Sequence, residues 1–216
     1  DHYSRISQLS AFPDLLLIER RDLGENESNP INEITSQSLV YVIYTSGTTG
    51  NPKGVLIENR SLINLIYSLT SQYRIGNKEV ILQFSNYVFD ASVEQMFLSL
   101  LNGNTLLVID EHSWEDTQNF TRLLNENKVT YIDTTPSMLQ QISLSAISSL
   151  RHISSGGESL SKDLFHKLKK GSFELINSYG PTEVTVTSII NVNPTDTSIG
   201  RPIANTSAYV LDKYLN

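Results

Sequence analysis

A chain of 216 residues, 39% of them hydrophobic, is long enough to bury a core as one domain or one large lobe. Its net charge of −7 argues against a nucleic-acid or anionic-membrane surface, which needs a clustered excess of Lys and Arg, so any phosphate binding has to be local. The absence of Cys rules out disulfides, thiolate zinc sites and thiol nucleophiles, and with no long apolar run and no signal-like start a soluble, cytoplasmic protein is expected.

In chain order, a short apolar run at 15–18 reads as a strand, and the Asn-, Glu-, Ser- and Pro-rich stretch 21–37 reads as a loop. β-branched and aromatic runs at 42–45, 55–58, 80–84, 106–109, 130–133, 152–154 and 175–177 are strand candidates. Amphipathic stretches between them predict helices. Asn59 is the expected cap of one running through Leu65 and Leu69. Asp90 or Ser92 is expected to cap another ending near Asn102, ahead of Gly103. Residues 113–116 resemble a capping box before Phe120, Leu123 and Leu124. Strands alternating with helices predict an α/β fold with a mostly parallel sheet and helices on both faces, whose ligands collect beyond the carboxyl ends of the strands. After Pro181 the Thr-, Val- and Ile-rich runs 184–192 and 208–211 predict an antiparallel edge.

The segment Tyr41-Val-Ile-Tyr-Thr-Ser-Gly-Thr-Thr-Gly-Asn-Pro-Lys-Gly54 leaves a strand of buried type and enters a turn rich in glycine and hydroxyls, with one cation, Lys53. Such a loop offers backbone N–H groups, hydroxyl donors and a positive charge to one small volume, as a polyphosphate requires. It lacks the spacing of a Walker loop, and a plain hairpin tip between two strands is the alternative reading. Downstream, Asn177-Ser-Tyr-Gly-Pro-Thr-Glu183 places a Gly-Pro turn at a strand end, and Gly156-Gly157-Glu158 and Ile199-Gly-Arg-Pro202 flank it.

Together these segments resemble the adenylate-forming (AMP-binding) superfamily of acyl-CoA synthetases, luciferases and peptide-synthetase adenylation domains. The resemblance covers roughly residues 39–212 in family order. It implies ATP and Mg²⁺ as cofactors, and a phosphate site at Thr45, Ser46, Gly47, Thr48, Thr49 and Lys53, with Gly156, Gly157 and Gly180 lining the nucleotide. It further implies that Asn177 faces the adenine edge, Tyr179 packs on the purine, Thr182 meets the α-phosphate and Glu183 ligates magnesium. Those residue types suit such roles: an amide has donor and acceptor, an aromatic ring stacks, and a carboxylate is a hard oxygen ligand. The four histidines show no metal spacing.

Phe89-Asp-Ala-Ser92 resembles the segment by which amino-acid-activating members of the nonribosomal peptide synthetase type hold the substrate ammonium, here through Asp90. A helix N-cap is the other reading of that residue. The resemblance lines the side-chain pocket with Asp90, Ala91, Glu94, Asp133, Ile153, Ser155, Ser178, Val186 and Thr187. If Glu94 and Asp133 face it, two buried carboxylates call for a cationic side chain, Arg or Lys, with Tyr as a second substrate. Glu94 pointing to solvent and Asp133 capping the turn before Pro136 is the alternative. The implied activity is formation of an aminoacyl-AMP, and the implied partners are the amino acid, a carrier-protein domain with a phosphopantetheine arm and neighbouring synthetase domains. An acyl- or aryl-CoA ligase and a non-catalytic nucleotide-binding module are the rivals. The family's small C-terminal lobe, with its catalytic lysine, is not visible before Asn216, so residues 1–216 are expected to be a fragment of the N-terminal core.

Overall fold

The computed structural model describes residues 33–46, 50–110 and 113–214. The chain divides into two units, Asp1–Ile34 and Thr35–Asn216, and every strand and helix among the described residues lies in the second. The run at 15–18, most of the loop 21–37, and Gly47, Thr48 and Thr49 lie outside the described residues.

The second unit begins with an antiparallel hairpin, β1 (Leu39–Thr45) and β2 (Lys53–Glu58), which forms a sheet of its own. The segment read as a phosphate loop thus joins two paired strands, as the hairpin alternative expects. β1 is not of buried type: Leu39, Val42 and Tyr44 are exposed while their neighbours are half-buried. Thr45 lies opposite Lys53 across the hairpin.

The main sheet has the order β4-β3-β5-β6-β7-β8-β9. Its parallel part comprises β3 (Val80–Gln83), β4 (Thr105–Val108), β5 (Tyr131–Thr134), β6 (His152–Ser155) and β7 (Glu174–Tyr179). β8 (Ile189–Val192) and β9 (Arg201–Pro202) add the antiparallel edge. The helices are α1 (Asn59–Gln72), α2 (Ala91–Leu100), α3 (Thr117–Glu126), α4 (Pro136–Leu139) and α5 (Lys162–Leu168).

Alternation along the strands sends successive side chains to opposite faces and so builds two cores. On one face Leu82, Ile132, Ile153 and Leu175 pack with Phe120 and Leu124 of α3 and Leu164 and Leu168 of α5. On the other, Ile81, Tyr131 and Ile176 pack with Leu62 and Leu65 of α1 and Val93 and Leu98 of α2. The α/β class, the parallel sheet and the two helical faces match the sequence reading.

Four local expectations are corrected. Glu58, not Asn59, precedes the first turn of α1, because Asn59 is already helical. Asp116 caps α3 with its own carboxylate, accepting from the N–H groups of Gln118 and Asn119 at 3.0 and 3.1 Å, so no box from Ser113 is needed. The run 184–192 is a strand only from Ile189: residues 182–184 form a 3-10 turn, and Thr185 and Val186 follow with φ of 67° and 60°. Residues 208–211 are irregular and exposed.

At the amino end of the sheet Glu79, whose side chain is wholly buried, pairs with Arg151 Nη1 at 2.7 Å. His152 sits beside it, 3.4 Å from Glu174, and burial pushes its imidazole below the usual histidine range. Among the described residues no helix is long and apolar enough to cross a membrane.

Candidate functional site

A cavity of about 370 Å³ opens beyond the carboxyl ends of β3, β5, β6 and β7, where an open α/β sheet collects ligands. Each strand delivers its last residue, or the turn after it, to the wall: Phe84 to Asn86, Asp133 to Thr135, Gly156 with Gly157, and Gly180. The start of α2 adds Phe89, Asp90 and Ala91, and the segment before β8 adds Val186 and Thr187.

Of the residues expected in the side-chain pocket, Asp90, Ala91, Asp133, Val186 and Thr187 lie on this wall. Glu94 stands directly behind it, 2% exposed, accepting a hydrogen bond from the Thr187 hydroxyl. Ser178 is buried one layer deeper, its Oγ 3.3 Å from Ser154 Oγ and donating to the Ser155 carbonyl. Ile153 and Ser155 are not on the wall; Ile153 belongs to the apolar core under α3 and α5, because strand alternation turns it away from Ser154. The solvent-facing alternative for Glu94 is thus excluded. The turn before Pro136 is capped by Thr135, which accepts from Met138 N, rather than by Asp133.

Asp90 occupies the N-cap position of α2, yet its side chain makes no capping bond, and its Oδ2 is buried without a hydrogen-bond partner. Burial pushes the Asp90 carboxyl up, opposed by the Thr182 hydroxyl and the Ala91 backbone, while the Glu183 charge adds to the rise. Glu94 is driven well above the carboxylate range by burial and by Asp133, with Thr187 pulling the other way. Asp133 is raised by burial, and the side chains of Ser154 and Gln95 oppose that. Three carboxylates thus share one low-dielectric volume, and among the described residues no Lys, Arg or His lines its wall.

Gln95 organises the back of the site. Its Oε1 accepts from Phe84 N and Ser85 N, both at 3.1 Å, and its Nε2 donates to the Asp133 carbonyl at 3.0 Å and to Oδ2 at 3.3 Å. Sequence reasoning missed it, together with Ser154, Tyr73 and Tyr131; the only local signal is that Tyr131 and Asp133 share one face of β5.

Gly180 is required by close approach: a Cβ there would strike the Val186 carbonyl and the backbone of Thr187 and Ser188. In the approaching segment Thr185 and Val186 lie in the left-handed region, which costs a β-branched residue on the order of 1–3 kcal/mol. The strained pair delivers Val186 and Thr187 to the cavity.

Of the described residues expected at the nucleotide, Gly156, Gly157 and Gly180 lie on the cavity wall and the others do not. Tyr179 is half exposed and Thr182 and Glu183 follow on the 3-10 turn, against which β2 packs. Glu183 lines a neighbouring groove with Arg60, Asn64 and Asn205. Thr45, Ser46 and Lys53 sit at the described ends of the hairpin tip and are not on the cavity wall. Asn177 is buried and its Nδ2 donates to the carbonyls of Thr197 and Ser198 at 3.1 and 2.9 Å, leaving only Oδ1 for an adenine amino group. Among the described residues no cluster of three or more metal-ligating side chains exists. One exposed glutamate suits a magnesium ion that takes the rest of its oxygen ligands from phosphate and water.

The chain matches the family model described as AMP-binding enzyme over residues 4–216. It is 44% identical over 195 residues to N-(5-amino-5-carboxypentanoyl)-L-cysteinyl-D-valine synthase of Amycolatopsis lactamdurans, covering 86% of this chain and 5% of that protein. Over 185 residues it is 36% identical to gramicidin S synthase 1 of Brevibacillus brevis, covering 83% of this chain and 17% of the relative. It thus spans a small fraction of these relatives. Among solved structures, a nonribosomal peptide synthetase in its alpha-methyl-L-serine-AMP-bound form aligns with TM-score 0.76 at 26% identity, over 84% of this chain and 22% of that one. The Vibrio cholerae adenylation domain AlmE, solved with glycyl-adenosine-5'-phosphate, shares the fold with TM-score 0.71 at 24% identity, over 78% of this chain and 34% of that one.

Proposed function

The chain belongs to the AMP-binding enzyme family, and on that premise we propose that it is part of the N-terminal lobe of a nonribosomal peptide synthetase adenylation domain. In this reading it activates an amino acid as aminoacyl-AMP, for loading onto a carrier-protein phosphopantetheine thiol. The observation that carries the reading is the unpartnered Oδ2 of Asp90 at the cavity wall. A buried carboxylate oxygen without a donor is costly unless a ligand supplies one, and an α-ammonium does. Plain fatty or aryl acids have no such group, which disfavours the CoA-ligase alternative. The likeness to a synthetase solved with an aminoacyl adenylate supports the same choice.

Chemically, Asp90 binds and orients the ammonium, so that the amino acid's carboxylate points out of the cavity toward the rim. Thr182, close enough to Asp90 to lower its pKa, ties the amino-acid site to the turn that carries Glu183. Lys53 and the hairpin tip neutralise polyphosphate charge, and Tyr179 offers its half-exposed ring to the purine. Glu183 would hold Mg²⁺, which when bound supplies Lewis-acid stabilisation of charge at the phosphate. No protein nucleophile is needed, because positioning and charge neutralisation suffice for in-line attack on the α-phosphate.

For the side chain, Glu94 and Asp133 favour a long cationic substrate, Arg or Lys, over neutral ones. An ion pair that relieves an unpaired buried carboxylate contributes about 2–5 kcal/mol. Tyr is the second candidate, through its hydroxyl. Amino-acid-dependent exchange of labelled pyrophosphate into ATP, on the full-length synthetase, tests the reading. Wild type should respond to Arg or Lys, and Asp90→Ala should lose amino-acid activation about a hundredfold while ATP binding persists. Exchange driven by fatty or aryl acids, but by no amino acid, would refute it.

A further inference from the structure

Gln95 follows Glu94 on α2 and is completely buried behind the cavity wall, yet its amide joins two parts of that wall to the helix. Its Oε1 accepts from the backbone N–H groups of Phe84 and Ser85, both at 3.1 Å. Its Nε2 donates to Ser85 Oγ at 3.1 Å, to the Asp133 carbonyl at 3.0 Å and to Asp133 Oδ2 at 3.3 Å. Phe84 and Ser85 follow β3, Asp133 belongs to β5, and all three line the cavity.

The surroundings of this amide fix its polarity. A primary amide is an acceptor at one end and a donor at the other, and half a turn about its last bond exchanges the two. Backbone N–H groups only donate, so the pair from Phe84 and Ser85 keeps the oxygen on their side and sends the NH2 toward Asp133. The Asp133 carbonyl only accepts, and it selects the same orientation from the other side. Oδ2 of Asp133 must then be an acceptor too, and a proton taken up by this carboxyl sits on Oδ1. Ionised or protonated, Asp133 has only Oδ1 free to change its hydrogen-bonding role. A carboxylate oxygen has two acceptor sites, so the neighbouring Ser154 side chain does not exhaust it.

We propose that Gln95 is a positioning residue for substrate selection, which pins Oδ2 of Asp133 and thereby reserves Oδ1 for the side chain of the bound amino acid. This inference rests on the amino-acid-activating reading above and deepens it, by naming the group that gives the acidic wall its hydrogen-bond polarity. The partners of the amide are Phe84, Ser85 and Asp133, none of which is expected at the nucleotide. Changes at Gln95 therefore act on the amino acid, through Asp133, and spare ATP.

The test uses pyrophosphate exchange on the full-length synthetase with Asp133→Asn, Gln95→Glu and the two combined. Asp133→Asn keeps the shape of the side chain. Because Gln95 demands an acceptor, the introduced amide must turn its oxygen inward and its NH2 to the cavity. Arg and Lys as substrates, whose side chains end in donors, should then lose about a hundredfold in kcat/KM, and glutamate as substrate, which ends in acceptors, should gain at least about fivefold. Gln95→Glu keeps an oxygen for the Phe84 and Ser85 N–H groups but sets another against Asp133. The KM for the preferred amino acid should rise about tenfold, with kcat and the KM for ATP changed less than about twofold. In the combined variant the new amide donates to the new carboxylate and returns an oxygen to the cavity. Its kcat/KM for Arg or Lys should recover at least about fivefold over Asp133→Asn alone, a rescue that a merely structural Gln95 does not produce. No recovery in the combined variant, no gain for glutamate in Asp133→Asn, or an equal fall of kcat for every amino acid in Gln95→Glu would each overturn the inference. Should Gln95→Glu not fold, Asp133→Asn alone decides. A wild type that activates no amino acid refutes the underlying reading instead. A wild type that prefers a neutral amino acid refutes only the cationic substrate, and the KM rise and its rescue are then scored on that amino acid.

Discussion

The Thr187 hydroxyl donates a 2.8 Å hydrogen bond to Glu94 Oε2 across 93 residues of sequence, joining the strained segment before β8 to the first turns of α2. It is the one hydrogen bond that opposes the rise of the Glu94 pKa. Thr187→Val keeps the shape and removes the donor. The KM for a cationic amino acid should rise about tenfold, near 1.4 kcal/mol, with little change for ATP. Steady-state exchange kinetics on the full-length enzyme check this, and equal losses for ATP and amino acid would contradict it.

Because Glu94 and Asp133 are both raised from their ordinary values of 4.5 and 3.8, the folded chain holds protons that the unfolded chain releases. The sign follows from linkage: stability from these groups is fully present below the unfolded values and is lost as pH rises through the folded ones. Without ligand, wild type should therefore lose stability relative to Glu94→Gln as pH is raised above about 4.5. Thermal melts of the two proteins across that range measure the difference, and parallel curves would show that Glu94 is ionised in the fold at no cost.

Gly180→Ala forces a methyl against the Val186 carbonyl and the Thr187–Ser188 backbone. The segment has no flexible side-chain end to yield, so the loss should reach about 2–4 kcal/mol in urea unfolding, with activity falling alongside. A variant of wild-type stability would mean that the turn has slack.

At the opposite end of the sheet, Arg151→Ala leaves the buried Glu79 carboxylate without its cation. Since Arg151 is itself partly solvated, the expected cost is about 2–3 kcal/mol, below that of a fully buried pair. Substrate KM values should stay unchanged, and a selective change in amino-acid KM would link the two ends of the sheet.

The strands were legible because β-branched runs at regular spacing suit buried parallel pairs, and every one of the five parallel strands matches a run read from the sequence. The 184–192 stretch misled for the same reason: Val, Thr and Ile favour strands. Thr185 and Val186 instead take the left-handed region, beside a segment whose backbone closely approaches Gly180. The acidic wall was legible through the Phe89 to Ser92 segment and the end of β5, with Glu94 one helical turn from Asp90. Gln95, Ser154 and the two tyrosines were not, because a polar side chain inside a core is defined by partners far away in sequence. Ile153 was assigned to the pocket by position in the family pattern, and strand alternation sends it to the other core.

The pairing of β3 with β5, in which Thr130 Oγ1 accepts from Val80 N across 50 residues, bears on how the site is born. Non-local parallel pairs close late in folding, and chains emerge from the ribosome N-terminus first. The segment carrying Glu94 is thus synthesised and wetted well before Asp133, and longer still before Thr187, reaches it. Until those strands dock, Glu94 is an ordinary ionised surface group. Its burial is a closing event of assembly, since the Thr187 hydroxyl that it accepts arrives only with the segment before β8.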